Sequence, residues 1–571
     1  MLYKRFLTPL LFILFSGKLL ATHFYGVDLF YTHVSGNTYR VSLVAYGDCS
    51  GVQFPSFATQ RPLIYVRKGT TPVMNDFLDE EPPKDGIEVT PVCPSELNNT
   101  TCVSPAGTVP GVKKFTYSKE FTLSGPAPDW KFVFLGTTDG TTQAGRSNSL
   151  TNVSPVGNIS LEASLDNTHQ NNSSPQYTTI ATPFYCVSKP TNFNPGAVDA
   201  DGDSLVYELV PGLDGLLPLN YVSGYSASHP LDVVAGTFSF SSNSGQLSFT
   251  PRSLQKSLVV YRVSEYRNGA LIGTSMREMT VVVMPCDNNP PAGSITNASG
   301  ASIVDDVTVK TCSGNHEVAF DINPKDADNG SIINMVASGL PQNATLDITN
   351  NHTTHPLSRF DWNMPSLPEG DYIFYITYTD DGCPLASKQT QAYTIRIGKE
   401  SIHSETIAGS CIDDGIIKVI VPPDWLQWGC NIFRDNEQVY NTNGIAGSTW
   451  SLNMPPGNYQ VYAFSDLGCT ADTFLEIPAI CDTADLPTAF SPNGDGKNDI
   501  LYVRGGNIRE SHLTIFNRWG QQIFESSDIR HGWDGTYKGQ NAPTEAYAYV
   551  LSVVFTSGRK FQKKGNVTLL R

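Results

Sequence analysis

Apolar and polar positions alternate along this chain in short runs. "YRVSLVAY" (39–46), "WKFVFLG" (130–136) and "YIFYITYT" (372–379) are rich in Val, Ile, Tyr and Phe, and runs of this kind recur between Gly, Pro and Asn. A period of two closed off by turn formers predicts β-strands. Long stretches with the 3.6-residue period of an amphipathic helix are missing. Many short strands between turn signals predict β-sandwich modules. At 571 residues the chain outgrows a single core, and its length suggests roughly three to five domains.

Texture and punctuation divide the chain further. A strand-rich region spans 22–179, with a Pro- and Asp-rich loop at "DEEPPKDG" (79–86). A cadherin-like sandwich spans 180–286, opening on "FNPGAVDADGDSLVYELV" (193–210) and closing on "REMTVVVMPC" (277–286), and "DNNPPAGS" (287–294) reads as a linker. An immunoglobulin-like sandwich at 295–398 partly repeats it. "DADNGS" (326–331) echoes "DADGDS" (199–204), and "RFDWNMPSLPEGDYIFYITYTDDG" (359–382) echoes "GQLSFTPRSLQKSLVVYRVSEYRNG" (245–269). A further immunoglobulin-like module covers 400–480, and a last one covers 483–571.

Charge and cysteine content change this picture in two ways. A net charge of −16 argues against nucleic acid, whose phosphates demand a basic face. The first 21 residues read as a signal peptide: Lys4 and Arg5 precede a mostly apolar run from Phe6 to Phe15, and Ala21 marks a plausible cut. That run falls well short of the ~20 residues needed to span a bilayer, and no later segment is expected to cross as a transmembrane helix. Eleven cysteines in an exported chain predict disulfides. Spacing suggests Cys93–Cys102, Cys312–Cys383, Cys430–Cys469, Cys411–Cys481 and Cys186–Cys286, with Cys49 left over.

Catalytic patterns are thin. "NHEVAF" (315–320) lacks the second His of a zinc protease helix. "SLQK" (253–256) has the spacing of serine acyl enzymes but lies between strands, with no later K-T-G. The chain is therefore expected not to be an enzyme, although paired acids from distant strands are invisible to motif reading. "DADGD" is the candidate small-ion site. Asp199, Asp201 and Asp203 alternate around a Gly and would present oxygens of the kind calcium takes. Val210 stands where an EF-hand has its twelfth-position acid, so neighbouring loops would have to complete the site. A plain polar turn explains the same residues. "AFSPNGDGKNDI" (489–500) looks similar, but Lys497 stands where an EF-hand offers an oxygen.

The last ninety residues clarify that second loop. They read "LPTAFSPNGDGKNDILYVRGG" (486–506), "LTIFNRWGQQIFESSD" (513–528), "GWDGTYKGQNAPTEAYAYVLSVV" (532–554) and "GRKFQKKGNVTLLR" (558–571). These blocks closely resemble the gliding motility-associated C-terminal domain, the type B sorting module of the type IX secretion system. The family's motif falls here on Pro492, Asn493, Gly494, Asp495, Gly496, Asn498 and Asp499, then on Phe516, Asn517, Arg518, Trp519 and Gly520. It continues on Trp533, Asp534 and Gly535 and ends on Gly565, Leu569 and Arg571. One departure is Glu545-Ala546, where the family often has Gly. The segment 483–571 carries 11 Lys and Arg against 8 Asp and Glu, a net +3, while the rest of the chain carries −19. Residues 493–496 are expected to form a tight turn that fixes the first strand.

The expected architecture is all-β: tandem immunoglobulin-like or cadherin-like sandwiches ending in a small antiparallel sandwich that acts as a sorting domain. The resemblance implies export to the cell surface or release, with the secretion translocon and an outer-membrane accessory protein as partners. The upstream regions 21–51 and 174–210 resemble large surface proteins of the same group. Adhesion or binding of a glycan or protein ligand is the expected role, with gliding motility a further option. A secreted polysaccharide hydrolase and a structural surface-layer component are the alternatives. Calcium is the one cofactor the sequence suggests.

Overall fold

The computed structural model describes residues 24–50, 61–138, 145–313, 316–363, 369–398, 401–411, 413–423, 425, 427–465 and 469–571. The signal-peptide expectation for 1–21 lies outside them. The described elements are strands, apart from one 3-10 turn at Pro94–Glu96. The chain divides into two compact units, Met1–Gly398 and Lys399–Arg571.

In the first unit one large sheet runs in the order Thr71–Phe77, Pro62–Lys68, Trp130–Thr138, Leu161–Leu165, Ala270–Met284, Phe24–Ser35, Thr38–Asp48, Val112–Thr122 and Asp79–Glu80. Ala270–Met284 also forms a long hairpin with Lys256–Arg267, which pairs in turn with Ser204–Leu209. A boundary at 179/180 therefore cuts through a sheet. Strands at 24–48 and 270–284 hydrogen-bond directly, with Val27 opposite Glu278 and Asp28 opposite Arg277. Regions 22–179 and 180–286 form one body.

Several strands of this sheet are buried on both faces. Val27, Leu29, Val41 and Leu43 join one core, while Tyr25, Val44 and Tyr46 join another. Because side chains alternate across a strand, "YRVSLVAY" serves both cores and reads as a nearly continuous apolar run.

Residues 292–398 form a true sandwich of a four-stranded and a five-stranded sheet. Phe320, Phe360 and Phe374 stack in its centre, with ring centroids 4.7 Å and 5.1 Å apart. The sequence echo has a structural counterpart. Ser204–Leu209, which follows "DADGD", pairs with Lys256–Arg267, and Asn334–Ser338, which follows "DADNG", pairs with Gly370–Thr379. This sandwich is tied to the preceding body by Cys93–Cys383, by the Tyr207 and Tyr375 hydroxyls at 2.9 Å, and by the Ala392 amide donating to Gln246 Oε1 at 2.8 Å.

The second unit holds a sandwich of His403–Ile407, Gly415–Ile420 and Thr449–Met454 against a four-stranded sheet, in the order Glu437–Ala446, Gln427–Arg434, Gly457–Ser465 and Thr470–Ile477. The last module is a five-stranded sheet in the order Ala489–Phe490, Lys560–Leu569, Ala546–Phe555, Ile508–Phe516 and Gln522–Ser526, with two short flanking pairs.

Cys186–Cys286 and Cys411–Cys481 form as expected from spacing. The pairings Cys93–Cys102, Cys312–Cys383 and Cys430–Cys469 do not. Cys49 bonds Cys102 because Asp48 lies opposite Val112 in the sheet and the Cys49 amide donates to the Gly111 carbonyl. Cys93 bonds Cys383 because a bridge between Val92 and Leu385 sets their segments side by side. Cys430 is free and buried, and burial pushes its thiol up to about 11. Cys93 and Cys102 diverge because Cys93 borders the bridge from Val92 to Leu385, whereas Cys102 sits in a turn beside Gly111.

Candidate functional site

The first block of the terminal module is a knot of side-chain-to-backbone hydrogen bonds. Asp499 accepts from the amides of Gly494 and Gly496 through its two carboxylate oxygens, at 2.7 and 2.8 Å. Asn493 Oδ1 accepts from the Asp495 amide and Asp495 Oδ1 from the Lys497 amide. The Asn498 carbonyl accepts from the Ser491 amide. Gly494 and Gly496 have φ of 79° and 80°, the left-handed region that glycine enters without strain. With these carboxylate oxygens engaged by amides, the loop is built as a turn.

The other blocks lock the module's core. The Trp533 ring is fully buried, packs against Phe490 and Tyr547 at 5.2 and 4.8 Å, and donates its Nε1–H to the Thr536 carbonyl. Asp534 accepts from the Thr536 amide and hydroxyl. A Cβ on Gly535 would meet Pro492 Cγ at 2.8 Å, and one on Gly565 would meet the Tyr549 hydroxyl at 2.7 Å. Leu569 is buried, and Arg571 donates to the Gly535 carbonyl at 3.1 Å. Phe516 ends the strand Ile508–Phe516, and Asn517 to Gly520 form the hairpin turn that follows.

Asp199, Asp201 and Asp203 come together as the spacing predicts, with one oxygen from each within 4.8 Å of the others. Asp199 Oδ1 accepts from the amides of Asp201 and Asp203, both at 2.9 Å. Asp201 Oδ2 accepts from the Ser173 amide at 2.7 Å. Arg267 holds Asp203 through both carboxylate oxygens, at 2.7 and 2.6 Å. Asp199 Oδ2 is buried without a hydrogen-bond partner. Burial, reinforced by Asp203 and Asp201, pushes the Asp199 carboxyl up to about 6.

Two residues that sequence reasoning missed, Glu265 and Arg267, complete this neighbourhood. Glu265 is fully buried. Its Oε2 accepts from Asn172 Nδ2, while Oε1 has no partner. Burial, and next the charge of Asp199, push it up to about 9. Its signal in the sequence was an acid at an inward position of the strand "VVYRVSEYR". Neighbouring Gly273 leaves the room, since a Cβ there would lie 2.3 Å from Glu265 Oε2.

In "SLQK", the Ser253 hydroxyl donates to Asp232 and Lys256 begins the strand Lys256–Arg267, so the pair has no helical alignment. Among the described residues no helix is long and apolar enough to cross a membrane.

On the outer face of the sheet Gln427–Arg434/Gly457–Ser465/Thr470–Ile477, Phe433 lies opposite Gln460, which lies opposite Phe474, and Asn431 lies opposite Tyr462. Phe474 is 75% exposed. Antiparallel sheets ordinarily turn polar residues to solvent, so aromatics interleaved with amides on this face are unexplained by folding.

Comparison with known proteins agrees with the terminal geometry. Residues 484–569 match the CHU_C type IX secretion signal domain. The chain is therefore a type IX sorting-domain protein, exported and delivered to the cell surface or secreted. No curated protein matches it in sequence. Among solved structures it is similar to a protocadherin gammaB7 EC3-6 cis-dimer, at 12% identity and a TM-score of 0.20, over 70% of this chain and 100% of that one. It is also similar to a tetra-tandem repeat from the extending region of a large adhesion protein, at 13% identity and a TM-score of 0.18, over 72% of this chain and 95% of that one.

Proposed function

We propose that the exported cargo is a non-enzymatic surface-binding protein of the adhesive kind, whose ligand is a neutral glycan. The observation that carries this reading is the face bearing Phe433, Tyr462 and Phe474. Aromatic rings offer flat apolar surface to the carbon faces of sugars. The Asn431 amide and the Gln460 carbonyl, whose own Nε2 donates to Asp472 at 3.0 Å, are matched to hydroxyls. Pockets for ligands combine these two elements. These residues include no Lys or Arg, and the same face carries Asp472 opposite Tyr462 and Glu476 opposite Asn458, which favours an uncharged partner over an acidic one. The test is binding of the intact exported chain to immobilised polysaccharides. Phe474→Ala is expected to reduce binding about tenfold with the melting temperature unchanged, because the side chain is exposed. Sugar turnover would favour the hydrolase, and ordered self-assembly without binding would favour a surface-layer component. Colony spreading of a deletion strain reads out any share in gliding.

A second reading concerns calcium. Asp199 Oδ2 and Glu265 Oε1 are buried oxygens with no hydrogen-bond partner, and buried acceptors left unpaired are costly. A divalent cation held among Asp199, Asp201 and Asp203, whose oxygens lie within 4.8 Å of one another, would satisfy Asp199 Oδ2. Glu265 lies outside that set, and Arg267 competes for Asp203. Calcium is expected to raise the melting temperature of the intact chain over that in EDTA, by about 2.7 kcal/mol of stability at a hundred times the dissociation constant. Asp199→Asn is expected to abolish that rise. An unchanged melting curve at saturating calcium would leave the turn a purely structural one, held by Arg267.

A further inference from the structure

Trp519 is 83% exposed. The chain has seven tryptophans, and Trp130, Trp362, Trp425, Trp428 and Trp533 are essentially buried. An indole left in water gains nothing from folding, yet a built turn holds this one out. Asn517 Oδ1 accepts from the amides of both Trp519 and Gln521 at 3.0 Å. The Asn517 carbonyl accepts from Gly520 at 2.9 Å. Gly520 sits at φ 76° with open space around it. The Arg518 guanidinium lies 5.8 Å from the Trp519 ring centroid and is fixed by an ion pair to Glu545 at 3.1 Å. The Glu545 carbonyl in turn accepts from the Leu569 amide at 3.0 Å. Leu570, beside it, is exposed. The module thus presents an exposed aromatic–guanidinium pair on a fixed turn next to its last strand.

We propose that Trp519, flanked by Arg518, is the anchor by which this module docks onto a component of the type IX secretion machinery, entering an apolar pocket rimmed by acidic groups. The proposal rests on the reading of 484–569 as a secretion signal, which requires that some partner recognise this surface. Trp and Arg are the residue types that dominate interface energetics, above all when held rigid before binding. The charge of the module fits an acidic rim, since it carries net +3 in a chain whose remainder carries −19.

The experiment follows the intact chain, its Trp519→Ala, Trp519→Phe and Arg518→Glu variants, and a chain ending at Ile480, in the bacterium of origin. Surface and periplasmic amounts are measured, together with melting of the purified proteins. Trp519→Ala is expected to lower the surface fraction about tenfold or more, with accumulation in the periplasm and a melting temperature within about 2 °C of the parent. Trp519→Phe is expected to recover part of the loss, and Arg518→Glu to mimic it. Normal display of Trp519→Ala, with the truncated chain retained, overturns the proposal and leaves the sorting role standing. Display of the truncated chain overturns both. If Trp519→Ala melts early, Arg518→Glu decides: retention supports docking and normal display refutes it. A dimer of the purified chain that Trp519→Ala dissociates, with normal display, assigns the surface to a second copy instead.

Discussion

Replacing Arg277 with methionine is expected to destabilise the first unit by about 3–5 kcal/mol, the cost of leaving a buried charge without its partner. Arg277 donates to Asp28 through Nε at 2.6 Å and Nη2 at 2.7 Å, and both residues are almost wholly shielded from solvent. Its Nη1 reaches the Pro195 carbonyl, and the Tyr177 ring lies 4.5 Å from the guanidinium carbon. Burial opposes the guanidinium charge, and the charge of Asp28 more than offsets it, so the Arg277 pKa lies above the usual arginine range. In the single variant the Asp28 carboxylate keeps a long contact, 3.4 Å, from the Tyr46 hydroxyl. The double variant Asp28→Leu/Arg277→Met removes both charges and is expected to recover most of the loss. Denaturant titration of the parent, the two single variants Asp28→Leu and Arg277→Met, and the double variant gives the coupling directly. A single-variant loss below about 1 kcal/mol, the range of an exposed pair, would show that the pair does not depend on burial.

The neighbouring residue makes the point sharper. Glu278 forms a second buried bidentate pair with Arg146, both contacts at 2.6 Å. Consecutive residues on a strand face opposite sides, so Arg277 and Glu278 charge the two faces of one strand. The Arg277 pair joins neighbouring strands of one sheet, whereas the Arg146 pair ties the segment around Val156 and Asn158 to the same central strand.

Replacing Cys93 and Cys383 with serine is expected to cost about 2–5 kcal/mol. The bond spans 290 residues, and closing a long loop removes much unfolded-chain entropy. The remaining ties between the sandwich at 292–398 and the preceding body include hydrogen bonds, among them Tyr207 to Tyr375 and Gln246 to Ala392, and packing such as Val198 against Gly339. Calorimetry is expected to resolve two transitions in the variant where the parent shows one for this unit. A single transition at the parental temperature would mean that the packed surface alone couples the two bodies.

Strands were legible because alternation is local. "YIFYITYT" lies within the strand Gly370–Thr379, with Phe374 and Ile376 buried. The terminal module was legible because its blocks encode turns and close approaches, as at Gly535 and Gly565, where side-chain-free positions are required. The join of 22–179 to 180–286 was not legible, because the pairing of Phe24–Ser35 with Ala270–Met284 is set by which surfaces bury each other across a long stretch of chain. The same reason hid Cys49–Cys102 and Cys93–Cys383. Glu265 escaped notice because an isolated acid in a strand carries no motif. Phe474 was hidden in the opposite way: in "ADTFLEI" an aromatic reads as core-facing, whereas the sheet turns Leu475 inward and Phe474 outward.

The central position of Ala270–Met284 has a consequence for the order of events during synthesis. Phe24–Ser35 emerges early, but one of its two neighbours in the sheet is made only after residue 270. At about 5–20 residues per second, that wait is on the order of 10–50 s. Until then Val27 and Leu29 have no finished core to enter, and the strand has an open edge, the kind of surface on which chains aggregate. The early part of the chain must therefore be shielded or kept moving while the late strand arrives, so this body completes itself in one late step instead of growing module by module from its first residue.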